Sequence, residues 1–326
     1  MSDPLPPEFS LIARYFRPLA GPGSLDLSDD AALLTPPVGR DLVLTVDAMV
    51  AGVHFLADDP PDLVGRKLLR VNLSDLAAKG ATPIGYLLTV SVPRATPEAW
   101  FAGFSAGLAA DQAEFGVTLL GGDTTSTPGP ISLSLTILGH VAPGMAVHRF
   151  GAQAGDGIWV TGTIGDGALG LAVATGRLSD PTGFLLGRYR LPQPRVGLAI
   201  GGVASAGMDV SDGLVQDLGH ICRASALGAT IDAASVPLSP QARAAAPAWL
   251  ETCLTGGDDY ELLFTAPPAA AGAVTRLGET LGVPLTAIGR MVAGRGVQVA
   301  GVDGRPLSLG SGGYRHFAPA EGSPPA

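Results

Sequence analysis

Short apolar runs rich in β-branched residues alternate with longer runs of helical spacing along most of this chain, and glycine, proline or aspartate punctuates nearly every junction. Leu42–Val46 (LVLTV) predicts a strand with an acid, Asp47, behind it. Asp58-Asp59-Pro60-Pro61-Asp62 predicts a helix start, with Asp62 as the cap and Asp58-Asp59 as a solvated turn. Leu63, Val64, Leu68, Leu69, Val71, Leu73 and Leu76 then keep helical spacing until Gly80. Tyr86–Val92 predicts a strand, Pro97–Phe115 a helix, and Val117–Leu120 and Ile131–Leu138 further strands around a Gly/Thr/Pro loop from Gly121 to Pro130. After a Pro/Gly cluster at Ala142–Gly155 the alternation resumes: strands at Ile158–Thr161, Glu261–Thr265 and Pro284–Gly289, helices at Asp166–Thr175, Leu214–Ala226 and Pro268–Leu281. Such alternation predicts an α/β or mixed α+β fold in two domains, 1–142 and 143–326, with a frayed Pro/Ala-rich tail from Ala318.

Composition narrows the partners. The 326 residues are 46% hydrophobic, enough for sizeable cores, and the 46 glycines and 28 prolines follow no triplet period, so a collagen-like chain is out. The net charge is −9 and Lys67 and Lys79 are the only lysines, which leaves no basic face for a nucleic acid. The longest stretch without Asp, Glu, Lys or Arg, Thr124–His148, contains Pro128, Pro130 and Pro143 and makes a poor membrane helix. Met1-Ser2-Asp3-Pro4 carries no secretory signal, and Cys222 and Cys253 form no CxxC pair, so a reduced cytoplasm is expected.

The positions of the acids point to chemistry. Asp29-Asp30, Asp47, Asp75, Asp123, Asp209 and Asp212 fall at element ends or beside Gly, Ser or Thr, as in LTVD, LLGGD and GMDVSD. Any one of them reads equally well as a helix or turn cap. Converging, they would repel one another unless hard cations neutralised them, and oxygen-only ligands suit Mg²⁺ or Mn²⁺ rather than Zn²⁺. Asp217, one turn after Asp212, reads as structural, and His140, His148, His220 and His316 show no ligand spacing. No GxxxxGK[ST], HRD/DFG or GxSxG motif occurs, and Gly162–Gly167 (GTIGDG) lacks the register of a dinucleotide loop. Phosphate chemistry on this chain would therefore rely on metal ions.

In order along the chain stand SDDAA (Ser28–Ala32), TVD (Thr45–Asp47) leading to GVHF (Gly52–Phe55), NLSDLAA (Asn72–Ala78), GGDTT (Gly121–Thr125), HRFG (His148–Gly151), MDVSDGL (Met208–Leu214), GGDDYEL (Gly256–Leu262) and GYRHF (Gly313–Phe317). This set resembles the thiamine-monophosphate kinase family, within the aminoimidazole ribonucleotide synthetase superfamily, from about residue 8 to 317. The resemblance implies a homodimer whose N-terminal domain binds ATP and Mg²⁺ and forms the dimer core, and whose C-terminal α/β domain covers the cleft. It implies in-line transfer of the ATP γ-phosphoryl group to thiamine monophosphate, with several Mg²⁺ ions. Carried over by position, Asp29, Thr45, Val46, Asp47, Asp75, Asp123, Asp209 and Asp212 would hold metal, with Asp47, Asp75, Asp123 and Asp212 central to catalysis. Gly122, Asp123, Arg149 and Ser211 would touch ATP. His54, Asp258 or Glu261, and Tyr314 or Phe317 would hold the thiamine moiety, whose cationic ring suits a carboxylate and an aromatic face. Three positions depart from the family pattern: Ser28 stands for a glycine, Val46 for a threonine and Asp258 for a glutamate. Another enzyme of the superfamily, or a non-catalytic nucleotide or metal sensor, are the competing readings; a selenophosphate-type enzyme is disfavoured because no Cys precedes Cys222.

Overall fold

The computed structural model describes residues 7–301, 303–310, 312–314 and 316. After a helical turn α1 (Pro7–Leu11) and short turns up to Leu27, the chain builds β1 (Asp41–Val50), α2 (Pro61–Ala78), β2 (Thr82–Val92), α3 (Glu98–Phe115), β3 (Thr118–Ser126) and β4 (Ser132–Val141). It continues with β5 (Gly157–Thr161), α4 (Asp166–Ala174), α5 (Phe184–Arg190), β6 (Ala206–Asp209), α6 (Leu214–Ser225), β7 (Gly228–Asp232), α7 (Pro240–Thr255), β8 (Leu262–Ala266), α8 (Ala271–Leu281), β9 (Leu285–Val292) and β10 (Gly296–Ala300). The strands form two sheets, ordered β1-β4-β2-β3 and β10-β7-β9-β5-β8-β6. The mixed α/β architecture is the one the alternation predicted. No described helix is long and apolar enough to cross a membrane.

One face of the first sheet is packed and the other is open. Leu133, Leu135 and Ile137 of β4 and Tyr86, Leu88 and Val90 of β2 are buried under α2 and α3. Alternation along each strand turns Leu44, Val46 and Leu87 the other way. Leu44 is 60% exposed and Val46 58% exposed, in an otherwise well-packed sheet. Helix α2 is buried nearly all round, and Leu68, Leu69, Leu73 and Leu76 each contribute about 1.5–3 kcal/mol of burial. It lies close to α3 because two glycines leave room: a Cβ on Gly107 would stand 2.0 Å from the Asp62 carbonyl oxygen, and one on Gly65 2.5 Å from that of Phe104. Arg70 of α2, itself buried, forks onto Asp111 of α3 through Nε (2.7 Å) and Nη2 (2.9 Å).

The second sheet reaches the first through its edge. Strand β6 is an edge strand, yet all four residues are buried, because α2 lies against it and the Gly207 amide donates to the His148 carbonyl at 2.8 Å. That contact carries Asp209 to the flank of α2. It positions the site.

Several local expectations are corrected. β1 continues through Asp47 to Val50, because β4 pairs with it along its whole length. Gly121–Ser126 is strand rather than loop, paired with β2 beyond a bulge. Asp59 is buried, accepting from the Leu56 amide (2.8 Å) and Arg190 Nε (2.7 Å), so it is not a solvated turn residue. Asp62 lies in the first turn of α2 without capping it through a side-chain hydrogen bond. Helix α7, begun by the Ser239 side chain accepting from the Ala242 amide, and strands β6, β7 and β10 carry no periodic signal strong enough to predict them.

Candidate active site

Helix α2 and its C-cap present Asn72, Asp75 and Lys79 at helical spacing toward β1 and β6. The Asn72 side chain donates to Leu68 O (2.9 Å) and accepts from the Asp47 amide (3.1 Å), fixing β1 against the helix. Thr45 Oγ1 donates to Asp75 Oδ2 at 2.5 Å. Ser74 Oγ donates to Asp209 Oδ2 at 2.7 Å. The turn from β6 into α6 is held by Asp217, whose Oδ2 accepts the amides of Ser211 (3.0 Å), Asp212 (3.0 Å) and Gly213 (3.1 Å). Gly213 has φ 122°, and a Cβ there would meet the Thr255 carbonyl oxygen at 2.3 Å, so a glycine is required. Asp217 is structural, as the sequence implied.

Crowding of carboxylates is visible in their acidities. Burial, with Asp75 and Asp212 nearby, pushes Asp47 up to about 6. Burial and then Asp75 hold Asp209 well above the ordinary range. Burial also raises Asp217 to about 7, against the pull of its three amide donors. Thus Asp47, Asp75, Asp209 and Asp212 form one electrostatic group between the sheets. Val46 turns its side chain to the open face, away from the group.

The acids do not all meet. Asp123 pairs in register with Thr89, and hence faces the open side, whereas Asp47 pairs with the buried Leu135. Three strand spacings of about 4.8 Å also separate β1 from β3. Asp29, Asp30, Gly122 and Asp123 instead line a cavity of about 580 Å³ between the N-terminal segment and the open face. The expectation of a single cage therefore gives way to two groups on opposite faces of one sheet. Gly122 is fixed by close approach: a Cβ would lie 1.8 Å from the Leu88 carbonyl oxygen. Ser28 has φ −112°, so serine at the family's glycine position costs no strain.

Beyond Asp75 along the same side lies a second cluster. The Val50 amide donates to His54 Nδ1 at 3.0 Å, which leaves Nε2 of the neutral ring as its N–H, and burial lowers the pKa of this histidine. His316 stands 5.1 Å from His54 and meets Tyr314 edge-on at 5.0 Å. Asp258 pairs with buried Lys67 at 3.1 Å, and Lys67 also donates to the His54 carbonyl (3.2 Å) and lies 4.0 Å over the Tyr189 ring. Asp258 (φ 71°) and Tyr260 (φ 52°) hold left-handed backbone, uncommon outside glycine, where the GGDDYEL loop packs on Ser211 O. Tyr260 is hydrogen-bonded to Asp258 and feels the charges of Asp47 and Asp209, so it joins the two clusters.

Glu261 is elsewhere. It is fully buried and accepts from Thr161 Oγ1 (2.5 Å), Arg188 Nη2 (2.9 Å) and Arg195 Nε (2.6 Å), which occupies its oxygens and locks β8 to β5. Asp259 is likewise structural, accepting the Gly165 (2.7 Å) and Gly167 (3.0 Å) amides at the start of α4. Phe317 lies outside the described residues.

Family models of AIR synthase related proteins match both halves, the N-terminal domain over 28–141 and the C-terminal domain over 153–302. The chain is 47% identical to the thiamine-monophosphate kinase of Caulobacter vibrioides, over 94% of this chain and 90% of that protein. The chain belongs to the thiamine-monophosphate kinase family. The crystal structure of the family member from Stenotrophomonas maltophilia K279a superposes with a TM-score of 0.79 at 43% identity, covering 86% of this chain and 90% of that one. The AaThiL structure, complexed with AMPPCP and TMP, superposes with a TM-score of 0.75 at 31% identity, covering 89% and 91%. Within this thiamine-monophosphate kinase family member, Lys67, Tyr189, Tyr260, His316 and Lys79 escaped sequence reasoning. None stands in a spacing of its own, and each is brought to the site by packing. GGDDYEL carried the one available signal for Tyr260.

Proposed function

We propose that this protein phosphorylates thiamine monophosphate to thiamine diphosphate at the expense of ATP, by direct in-line transfer between the two clusters described above. The observation that carries the reading is the crowding of Asp47, Asp75, Asp209 and Asp212 beside the His54–Asp258 cluster, in a chain related to a protein that binds AMPPCP and TMP. Carboxylates crowded until burial and their neighbours' charges push Asp47 and Asp209 up are what a hard-cation site looks like without its charge balance. The oxygen-only donor set fits Mg²⁺. No three His, Cys, Asp or Glu among the described residues are placed closely enough to cage an ion alone, so phosphate oxygens and water would complete the coordination. Thr45, Asp47, Asp75, Asp209, Asp212 and the Val46 carbonyl would hold ions on the inner face, and Asp29 and Asp123 would do so in the cavity beside Gly122. When bound, such ions neutralise phosphate charge, so that two anions can approach.

The chain's own residues supply position. Arg149 is a fixed planar cation that can fork onto a nucleotide phosphate. The Ser211 turn, braced by Asp217 through the Ser211 amide, would supply its hydroxyl to the same phosphates. His54 Nε2–H and the Tyr314 ring face the acceptor, and Asp258 answers the cationic thiamine ring in preference to Glu261, whose oxygens are already taken by two arginines. An acceptor phosphate oxygen is already deprotonated near neutral pH, so no general base is needed.

The open face with Leu44, Val46 and Leu87 favours a homodimer built on the first sheet, which would also close the cavity holding Asp29 and Asp123. The deciding experiment supplies purified protein with ATP and Mg²⁺ and measures ADP and thiamine diphosphate. ADP release that depends on thiamine monophosphate supports the reading. Turnover only with the aminoimidazole ribonucleotide precursor, or nucleotide binding with no turnover, would replace it with a superfamily enzyme or a sensor.

A further inference from the structure

Lys79 stands in no GxxxxGK[ST] motif. The fold gives it a different setting. Lys79 caps the C-terminus of α2, one turn after Asp75 and on the same side. Its carbonyl accepts the Val147 amide at 3.2 Å, and the next residue, His148, accepts the Gly207 amide at 2.8 Å through its carbonyl. Its Nζ reaches the Gly207 carbonyl at 3.4 Å, two residues before Asp209. These backbone links tie Lys79, Arg149 and the Gly207–Asp209 strand into one corner. Lys79 forms no ion pair of its own among the described residues, and it lies partly buried between the exposed Arg149 and the acids Asp209 and Asp75.

Two cations held side by side at the rim of an acid group are poorly explained as charge balance for the acids. Arg149 repels Lys79, and neither is drawn into a salt bridge with Asp75 or Asp209 among the described residues. An anion with several oxygens would satisfy both cations. We propose that Lys79 is a nucleotide-binding residue that, with Arg149, clamps the polyphosphate of ATP against the Asp75–Asp209 group, a point charge beside a planar fork. This rests on the reading of the protein as an ATP-dependent kinase, and deepens it by assigning the phosphate-facing cations. The Gly207 carbonyl holds the ammonium in place between turnovers, and the partly buried stem limits the water that would screen it.

The test compares wild type, Lys79→Met and Lys79→Arg. Turnover of thiamine monophosphate is measured at varied ATP and saturating Mg²⁺, and calorimetry gives the affinities for AMP, ADP and a non-hydrolysable ATP analogue. Lys79→Met should raise the KM for ATP about tenfold or more while the KM for thiamine monophosphate stays within about twofold. The affinity loss should grow from AMP to the ATP analogue, and Lys79→Arg should recover most of it. Unchanged nucleotide affinity overturns the assignment, and so does an equal loss for AMP and the ATP analogue. If Lys79 merely balances Asp75 and Asp209, Lys79→Met will move the melting temperature and the Mg²⁺ requirement without moving nucleotide affinity, which also overturns it. Should Lys79→Met not fold, Lys79→Arg and Lys79→Gln are judged on the same affinities. Wild type that turns over no thiamine monophosphate yet binds the ATP analogue in a Lys79-dependent way would remove the kinase reading and leave the phosphate contact standing.

Discussion

At the scale of single residues, environment sorts side chains that look alike in the sequence. Asp258 and Glu261 stand three apart, yet one faces Lys67 and His54 while the other is sealed between Arg188 and Arg195. Glu261→Gln leaves two partly buried guanidiniums short of a counter-charge, so it should cost about 3–5 kcal/mol in a denaturant titration while leaving the KM for thiamine monophosphate near wild type. Asp258→Asn should do the reverse, weakening the acceptor with a small loss of stability. Asp75 accepts from Thr45 and adjoins both Asp47 and Asp209, so Asp75→Asn should lower kcat more than about a hundredfold with little change in melting temperature; near-normal turnover at saturating Mg²⁺ would contradict its role. Burial pushes the thiols of Cys222 and Cys253 up to about 11 and about 12. The thiolate is the reactive form and is scarce below those values, so neither cysteine should alkylate with iodoacetamide at pH 8 until the protein is unfolded, as mass spectrometry would register.

At the scale of elements, α2 is the member on which the site is built. It meets β1 through Asn72, β6 through Ser74 and α3 through Gly65 and Gly107. Gly107→Val would drive its side chain into the Asp62 backbone and spread the two helices. The expected cost is about 1–3 kcal/mol by thermal or urea unfolding, with a fall in kcat because Asp75 and Lys79 ride on the displaced helix. An unchanged melting point would mean that the helices have slack that the tight approach denies. The α2 span was legible because its leucines and valines keep helical spacing, and α3 because Pro97 opens it and Gly116 closes it. Helix α7 was not, since Pro247 interrupts an alanine-rich run without a clear apolar stripe. β3 was misread for a related reason: Gly121–Ser126 has the composition of a loop, and pairing with β2 makes it a strand.

At the scale of the whole molecule, the open face of the first sheet and the divided acids belong together. A partner laid on Leu44, Val46 and Leu87 would bury the apolar face and wall the cavity that contains Asp29 and Asp123. Leu44→Asp should therefore shift the protein toward monomer in analytical ultracentrifugation and lower its activity in parallel. A wild-type monomer at micromolar concentration would refute the dimer. The sequence by itself determined the layered α/β class, most helices and strands, and which aspartates stand in motif positions, because periodicity and local capping are short-range properties. Tertiary structure alone decided which of those aspartates are neighbours, that Glu261 is neutralised, and that Lys67 and Lys79 stand at the site. Sheet register puts adjacent positions on opposite faces, and a charge acquires its partners only when distant segments pack around it.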